Sequence, residues 1–397
     1  MLSKKIALFT ATFNMLVYLG SATFCEPDCD RNTSQLAITK GYPAFEHEVV
    51  TQDGYILSMQ NIPSTKPSEE GTTAKPILLM HGLFAAGHDY VINFSNQSLG
   101  FILADAGYDV WIGNVRGTTY SKKHKTLTPK DKEFWKFSFD EMALYDLPAM
   151  VDYVLSQTGQ SDIFYIGHSQ GSTMAFIMLS EIPAYNDKIS LMVALGPVTN
   201  VTYATSPIVY TAHFQNTLLL FLTTFGQYEF LPNSPIIDTL SQFCPLPVTS
   251  LVCRNIYFLV NGINAEQFND TRAPVYFNHD PAGTSAYNFY HWGQLIRYKR
   301  FQKLDWGRAG NLERYNQPTP PEYNVTKITT KVALFHSQND VLADPKDVAN
   351  LIPRIFNLVF NFKVEDRKWG HADFLFGMQA NVKVYPQLLD LLEEHNT

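Results

Sequence analysis

The sequence predicts an open α/β fold, in which a mostly parallel β-sheet is covered by helices and a mainly helical segment is inserted late in the chain. Three features of the 397 residues lead to this prediction. Apolar strand-like runs alternate with helical runs through the first half of the chain. A strand, a sharp turn and a helix follow one another over residues 163–179. The alternation stops at residue 197 and resumes near residue 331.

The composition restricts the class of protein before any motif is considered. Hydrophobic residues make up 45% of the chain and charged residues 17%, which is ordinary for a soluble globular protein. The net charge of -7 argues against a nucleic-acid partner, because a phosphate-binding surface normally shows a basic excess. We therefore interpret the basic run at residues 122–125 as a solvated loop. A monomer is favoured.

The amino terminus has the pattern of a secretory signal peptide. Lys4 and Lys5 precede an apolar run at residues 6–19, and the small residues 20–22 suit a cleavage site. The apolar run is too short, and too interrupted by polar residues, to predict a membrane span. We therefore assign residues 1–22 to a signal peptide and predict no transmembrane segment.

Two further features agree with export. Six Asn-x-Ser/Thr sequons predict glycosylation at Asn32, Asn93, Asn96, Asn200, Asn269 and Asn324. In an oxidising compartment Cys244 and Cys253 could close a small loop as a disulfide, and the alternative is a pair of buried free thiols. Cys25 and Cys29 are assigned no role.

The elements of the sheet are predicted in chain order. A hairpin is predicted at residues 46–63, where the alternating pattern turns at Asp53-Gly54. Further strands are expected at residues 75–80, 108–112, 163–166, 189–195, 331–336 and 358–364. Helices are expected at residues 99–106, 139–155 and 171–179.

The late segment is predicted to be an insertion rather than part of the sheet. It is rich in Phe, Tyr, Leu and Asn, contains several prolines and shows no strand–helix alternation. After the signal peptide, the chain is therefore divided into the first part of the core at residues 23–196, an insertion at residues 197–324, and the second part of the core at residues 325–397.

The turn at residues 167–171 carries the predicted nucleophile. Its sequence, GHSQG, matches G-x-S-x-G, and it lies between a strand and a helix, the context that gives this motif its meaning. Such a turn holds the serine in a strained conformation, and a Cβ at either flanking glycine would collide with the neighbouring strand or helix. We predict that Ser169 is a nucleophile; the alternative is an ordinary turn serine.

Two loops late in the chain supply the partners that a serine nucleophile needs. A serine hydroxyl requires a histidine base, which is itself oriented by a carboxylate. Asp340 follows the strand predicted at residues 331–336, and His371 follows the strand predicted at residues 358–364. This is the expected chain order of serine, acid and histidine. Asp340 is therefore predicted to be the acid and His371 the base.

Competing residues have simpler explanations. Asp344 and Asp347 lie at the start of a predicted helix, where capping and the helix dipole favour aspartate. His336 ends a strand and is expected to be packed or hydrogen-bonded. His168 and His291 are expected to be structural.

Two backbone N–H groups are expected to form an oxyanion hole. One belongs to Gln170, directly after the predicted nucleophile. The other is assigned to Leu83, in the loop after the strand that ends at His81-Gly82. Because these donors are backbone atoms, position rather than side-chain identity selects them.

The motifs together resemble those of one family. They comprise His81-Gly82-Leu83, residues 114–117, 141–149, 167–171 and 281–285, and Asn339-Asp340 with His371. From about residue 36 to 390 the chain resembles the acid lipase family of gastric and lysosomal lipases. The resemblance implies the α/β-hydrolase fold, a triad of Ser169, Asp340 and His371, oxyanion donors at Leu83 and Gln170, and a disulfide between Cys244 and Cys253. It also implies that the insertion at residues 197–324 is a cap with a mobile lid.

The expected function is hydrolysis of carboxylic esters of neutral lipids at a lipid–water interface, through an acyl-enzyme on Ser169. No metal or organic cofactor is expected, and the expected location is extracellular or lysosomal. Two alternatives stay open. One is an esterase for small or specialised esters; the other is a non-catalytic lipid-binding protein built on the same fold.

Overall fold

The fold is that of a computed structural model, which describes residues 25–66, 73–234, 241, 244 and 247–396. The predicted signal peptide at residues 1–22 lies outside the described residues. Within them, no helix is long and apolar enough to cross a membrane.

The described residues contain eleven strands. They are β1 Phe45–Val50, β2 Tyr55–Ile62, β3 Pro76–Met80, β4 Asp109–Gly113, β5 Lys123–His124, β6 Ile163–His168, β7 Ile189–Leu195, β8 Glu229–Phe230, β9 Thr284–Ser285, β10 Lys331–His336 and β11 Leu358–Lys363. The main sheet has the order β1-β2-β4-β3-β6-β7-β10-β11, with β5 paired to β2. The strands β8 and β9 form a separate antiparallel pair.

Along the order of the main sheet, β2 runs in the direction opposite to the other strands. The pairs β1–β2 and β2–β4 are antiparallel, and the first is the predicted hairpin. From β4 through β3, β6, β7 and β10 to β11, every neighbouring pair is parallel. The carboxyl ends of these parallel strands therefore meet at one edge of the sheet, where loops can bring distant residues together.

Helices account for much of the remaining chain. They are α1 Thr33–Thr39, α2 Leu99–Ala106, α3 Leu147–Thr158, α4 Gln170–Glu181, α5 Tyr185–Lys188, α6 Gln215–Thr224, α7 Pro247–Asn261, α8 Ala273–His279, α9 Ala286–Tyr298, α10 Gly307–Tyr315, α11 Pro345–Leu351, α12 Asp373–Phe376, α13 Ala380–Lys383 and α14 Tyr385–Glu394. A helical turn at Phe139–Glu141 and a π-helical stretch at Met142–Asp146 lead into α3, so the helix predicted at residues 139–155 is present with an irregular first half.

The sheet separates two hydrophobic clusters. Along β3, Leu78 and Met80 pack in one cluster, whereas Ile77 and Leu79 pack in the other. Successive side chains of a strand point to opposite faces, so a strand with both faces covered is apolar throughout. This arrangement explains the continuous apolar run in the sequence of β3.

The main sheet is interrupted between β7 and β10. In the described part of this interval, the α-helices are α6 to α10, the strands are the β8–β9 pair, and Pro207–His213 and Val325–Lys327 are 3-10 helices. The boundary of the insertion at residues 197–324 stays a prediction.

Two local expectations were wrong. The basic run at residues 122–125 is not simply a solvated loop, since Lys123 and His124 form β5 and pair with Ile56 and Tyr55. A two-residue edge strand is too short to show alternation in the sequence. Cys25 and Cys29, which were assigned no role, form a disulfide.

Candidate active site

Ser169 lies in a sharp turn between β6 and α4. Its backbone has φ 54° and ψ -121°, outside the regions that L-residues normally occupy. A Cβ added at Gly171 would lie 2.2 Å from the carbonyl oxygen of Met80, and one added at Gly167 would lie 2.5 Å from the carbonyl carbon of Gly171. The expected strain at Ser169, and the expected need for glycine on both sides, are therefore confirmed by the packing.

Asp340 and His371 form a buried pair on the loops after β10 and β11. The Nδ1 of His371 lies 2.8 Å from Oδ2 and 3.0 Å from Oδ1 of Asp340. The backbone N–H groups of Leu342 and Ala343 also donate to Oδ1 of Asp340. Burial alone would raise the pKa of the Asp340 carboxyl, but the interaction with His371 and these hydrogen bonds outweigh it and hold the pKa below its usual value.

The backbone of His371 is fixed at both ends. Its N–H donates to the carbonyl oxygen of Asn261, at the end of α7 (2.9 Å), and its carbonyl oxygen accepts from Nε2 of His168 (2.9 Å). Burial, followed by the nearby His371, lowers the pKa of His168 to about 3, so the His168 ring is neutral. The expectation that His168 is structural is confirmed, and its contact orients the loop that carries His371.

The imidazole of His371 lies beside the strand end next to Ser169. The N–H of Ser169 donates to the carbonyl oxygen of Leu195, and a Cβ added at the following residue, Gly196, would lie 3.1 Å from the His371 ring. The Nε2 of His371 is buried and has no hydrogen-bond partner among the described residues. One ring nitrogen is therefore held by Asp340, and the other is available to a serine hydroxyl or a substrate.

The loop after β3 passes directly over the serine. A Cβ added at Gly82 would lie 3.1 Å from Cβ and 3.6 Å from Oγ of Ser169. Within the described part of the chain, the N–H groups of Leu83 and Gln170 have no backbone acceptor. Two free donors beside a serine could stabilise an anionic oxygen.

The side chain of Gln170 is held by residues that the sequence reasoning missed. Its Oε1 accepts from Nδ2 of Asn288 (3.0 Å) and from Nε1 of Trp292 (2.7 Å), both on α9. The Oδ1 of Asn288 accepts from the N–H of Phe139. The two α9 residues are one helical turn apart, but nothing in the sequence indicated that their common partner lies more than a hundred positions earlier.

The competing residues have the structural roles expected of them. Asp344 caps α11 through the N–H of Lys346 (2.8 Å). Asp347 accepts from the N–H of Tyr203. The remaining two imidazoles are also hydrogen-bonded away from the serine: His336 to Asn361, and His291 to Ser138 and Gln302.

The structure answers the question that the sequence left open for Cys244 and Cys253. Cys244 forms a disulfide with Cys253 on α7, which is the first of the two alternatives that the sequence left open.

Five sequon asparagines have at least partly exposed side chains, and glycosylation there stays a prediction: Asn32, Asn96, Asn200, Asn269 and Asn324. Asn93 is buried, and its side chain bonds to Leu375 and Tyr276. This packing argues against a glycan at Asn93, where glycosylation likewise stays a prediction.

The sheet order and the serine turn at the carboxyl end of β6 define an α/β hydrolase. The chain matches the alpha/beta hydrolase fold family over residues 75–378 and the partial alpha/beta-hydrolase lipase region over residues 33–94. An α/β hydrolase from a Penicillium species shares this fold, with a TM-score of 0.53 and 13% identity over 89% of this chain and 99% of that chain.

Similarity in sequence is much higher to mammalian lipases. The chain is 41% identical to the gastric triacylglycerol lipase of Rattus norvegicus, over 99% of each chain. It is 42% identical to the lysosomal acid lipase/cholesteryl ester hydrolase of Homo sapiens, over 95% of this chain and 94% of that protein. The protein therefore belongs to the gastric and lysosomal acid lipase family.

Proposed function

We propose that this protein is a lipase that hydrolyses carboxylic ester bonds of neutral lipids through an acyl-enzyme on Ser169. The observation that carries the proposal is the buried Asp340–His371 pair beside a strained serine. The carboxylate holds Nδ1 of His371, and the opposite nitrogen has no other partner among the described residues. This arrangement suits a general base for the serine hydroxyl.

In the proposed reaction, Nε2 of His371 takes the proton of Ser169 as Oγ attacks the ester carbonyl. The imidazolium that forms is stabilised by Asp340, and it returns the proton to the leaving alcohol. Water then attacks the acyl-enzyme with His371 again as the base, which releases the fatty acid. The negative oxygen formed in both steps is assigned to the N–H groups of Leu83 and Gln170.

The surface of the cap supports a lipid substrate. Four large apolar side chains at and around α6 are exposed to solvent: Phe214, Leu220, Phe221 and Phe225. Such a patch is a liability in water unless it meets an apolar phase. Each methylene of an acyl chain buried from water contributes about 0.8 kcal/mol, so an apolar cap favours long-chain esters. The names of the relatives point to triacylglycerols and cholesteryl esters as the substrates to test first.

The proposed location is outside the cell or in the lysosome. The pattern of residues 1–22 and the two disulfides are those of a protein made in the secretory pathway. The names of the gastric and lysosomal relatives agree with this proposal.

Two experiments test the proposed function. An active-site phosphonate should attach to Ser169 in the wild-type protein and not in Ser169→Ala, as read by peptide mass spectrometry. A panel of emulsified triacylglycerol, emulsified cholesteryl ester and a short soluble ester then measures the substrate class. Hydrolysis of the soluble ester alone would favour the smaller-ester esterase. No labelling and no hydrolysis by a folded protein would favour a lipid-binding role.

A further inference from the structure

Three ligand-type side chains meet where the core touches the inserted segment. His88 and Asp89 lie in the 3-10 turn Gly87–Tyr90, shortly after the loop that contains Leu83, and Asp280 follows α8. The Nε2 of His88 lies 3.1 Å from Oδ1 of Asp280 and 3.2 Å from Oδ1 of Asp89. These three residues are called the His88 cluster below.

The His88 cluster is buried yet incompletely satisfied. The side chains of His88 and Asp89 are 1% and 3% exposed, and that of Asp280 is 27% exposed. The Oδ1 of Asp89 accepts no hydrogen bond within the described residues, although it points toward His88. Two carboxylates are costly to bury around one imidazole unless positive charge lies between them.

We propose that the His88 cluster binds one divalent transition-metal cation of the zinc class, which links the core to the inserted segment. One ligand atom from each residue lies within 4.8 Å of the others. Ligands about 2.1 Å from a metal are about 3.0 to 3.4 Å apart in octahedral or tetrahedral geometry. The two measured separations from Nε2 therefore fit a coordination sphere with little movement of the side chains.

The neighbouring imidazole is excluded as a ligand. Both ring nitrogens of His279, which packs against His88, face carbonyl oxygens at 2.9 Å, those of Val275 and Arg31, so neither nitrogen is directed at the cluster. The cluster therefore offers one imidazole nitrogen and two carboxylates, a set that suits zinc better than calcium, which prefers oxygen ligands alone. The partial exposure of Asp280 gives the cation and its remaining water ligands a route to the site.

The proposed cation would be structural, since it touches no member of the Ser169 site. Close to Asp280, the N–H of Ala282 donates to the carbonyl oxygen of Phe84, and the carbonyl oxygen of Ala282 accepts from the N–H of Thr119. A cation joining His88 and Asp89 to Asp280 would strengthen this same junction. Binding to the folded state alone raises the melting temperature. Zinc binding replaces the proton on Nε2 of His88.

The test uses the complete mature protein, freed of metal with a chelator and then dialysed against zinc chloride. Elemental analysis should find about one zinc per chain, and zinc should raise the melting temperature while an equal concentration of calcium does not. Asp89→Asn and Asp280→Asn should each weaken zinc binding by at least about 10-fold and remove the rise in melting temperature.

Asp270→Asn is the matched control, because Asp270 is an exposed aspartate of the same inserted segment. It should bind zinc as the wild type does. Asp280→Asn is the safer of the two test variants, since Asp280 is partly exposed, and hydrolysis of a soluble ester without zinc checks that it folds. A wild-type protein that takes up no zinc would overturn the proposal, as would equal uptake by Asp280→Asn. The first result would mean that the His88 proton alone bridges the two carboxylates, and the second that the zinc binds elsewhere.

Discussion

At the residue scale, the contacts of His371 decide which of its nitrogens can react. A carboxylate can only accept hydrogen bonds, so contact with Asp340 fixes the proton of the neutral ring on Nδ1 and leaves Nε2 as an acceptor. The backbone contacts to Asn261 and His168 prevent the loop from turning the ring away. The orientation of one imidazole therefore depends on three separate parts of the chain.

The first prediction tests this dependence. Asp340→Asn should lower kcat by about 10⁴-fold, because an amide no longer selects the tautomer with a free Nε2, whereas Ser169→Ala and His371→Ala should each lower it by about 10⁶-fold. Turnover of a soluble ester is the measurement. Asp344→Asn is the matched control, since asparagine caps a helix as well as aspartate does and kcat should not change. The assignment of the acid is wrong if Asp344→Asn loses turnover and Asp340→Asn retains it.

The second prediction concerns the oxyanion donor at Leu83. Leu83→Ala keeps the backbone N–H and should retain most activity, whereas Leu83→Pro removes the donor and should lower kcat by about 10² to 10³-fold. Circular dichroism and the melting temperature check that the proline variant is folded. Small and equal effects in two folded variants would exclude Leu83 as a donor.

At the element scale, the packing of α4 against β3 depends on the absence of a side chain at Gly171. Gly171 brings the first turn of α4 against the backbone of β3, and any Cβ there meets Met80. Backbone atoms of a central strand cannot move aside as a flexible side chain can. The serine turn is therefore maintained by packing between elements as well as by its own sequence.

The third prediction measures that packing. Gly171→Ala should lower the free energy of unfolding by about 3 kcal/mol or more, because the clash is with main chain. Gly159→Ala is the control for a cost without crowding: Gly159, unlike Gly171, has positive φ, and nothing lies within 4 Å of an added Cβ, so only the left-handed backbone should matter, at about 1 to 2 kcal/mol. Urea unfolding measures both. An unchanged free energy of unfolding in Gly171→Ala would show that crowding at Gly171 is relieved without cost.

The fourth prediction concerns the lid, which we expect to be part of residues 232–262; several of these residues lie outside the described part of the chain. The carboxyl end of α7 is fixed to the site, because Asn261 bonds to His371 and a Cβ at Gly262 would lie 3.0 Å from the carbonyl oxygen of Asn339. The Cys244–Cys253 disulfide restrains the other end. Cys244→Ala with Cys253→Ala should therefore change hydrolysis of emulsified long-chain triacylglycerol more than hydrolysis of a short soluble ester.

The two rates are compared in wild type and double variant, with folding checked in parallel. If a folded double variant changes both rates by the same factor, the disulfide has no special part in access from the interface. The segment would then be a fixed roof over the site.

At the scale of the whole molecule, exposed apolar side chains differ in where they lie relative to the Ser169 site. Leu220 and Phe221 on α6 are 67% and 59% exposed and lie in the inserted segment. Phe356 is 74% exposed but precedes β11, at the edge of the sheet opposite the loops of Asp340 and His371. We therefore expect Leu220 and Phe221, rather than Phe356, to bind a lipid surface.

The fifth prediction follows from that difference. Leu220→Ser with Phe221→Ser should weaken adsorption to a triacylglycerol emulsion by at least about 10-fold, since burying each side chain from water contributes roughly 1.5 to 3 kcal/mol. Hydrolysis of a soluble ester should not change. Phe356→Ser, the matched control, should adsorb like the wild type. Equal loss of adsorption in both variants would mean that α6 is not the docking surface.

The sequence by itself determined the strands, helices and turns that depend only on residues near them in the chain. The strands expected at residues 189–195 and 331–336 have those bounds, because a strand covered on both faces must be apolar throughout. The helix expected at residues 99–106 ends before Gly107, whose φ of 105° only glycine adopts freely. The motif around Ser169 also needs only its immediate neighbours to be recognised.

The tertiary structure alone decided the contacts between distant segments. His168 reaches His371 across 203 positions, and Gln170 meets Asn288 across 118. The disulfide at Cys25 and the burial of Asn93 likewise depend on how segments pack. Periodicity reports which face of an element is covered, but not which partner covers it, because many apolar or polar partners satisfy the same pattern. The packing of the whole chain selects one of them.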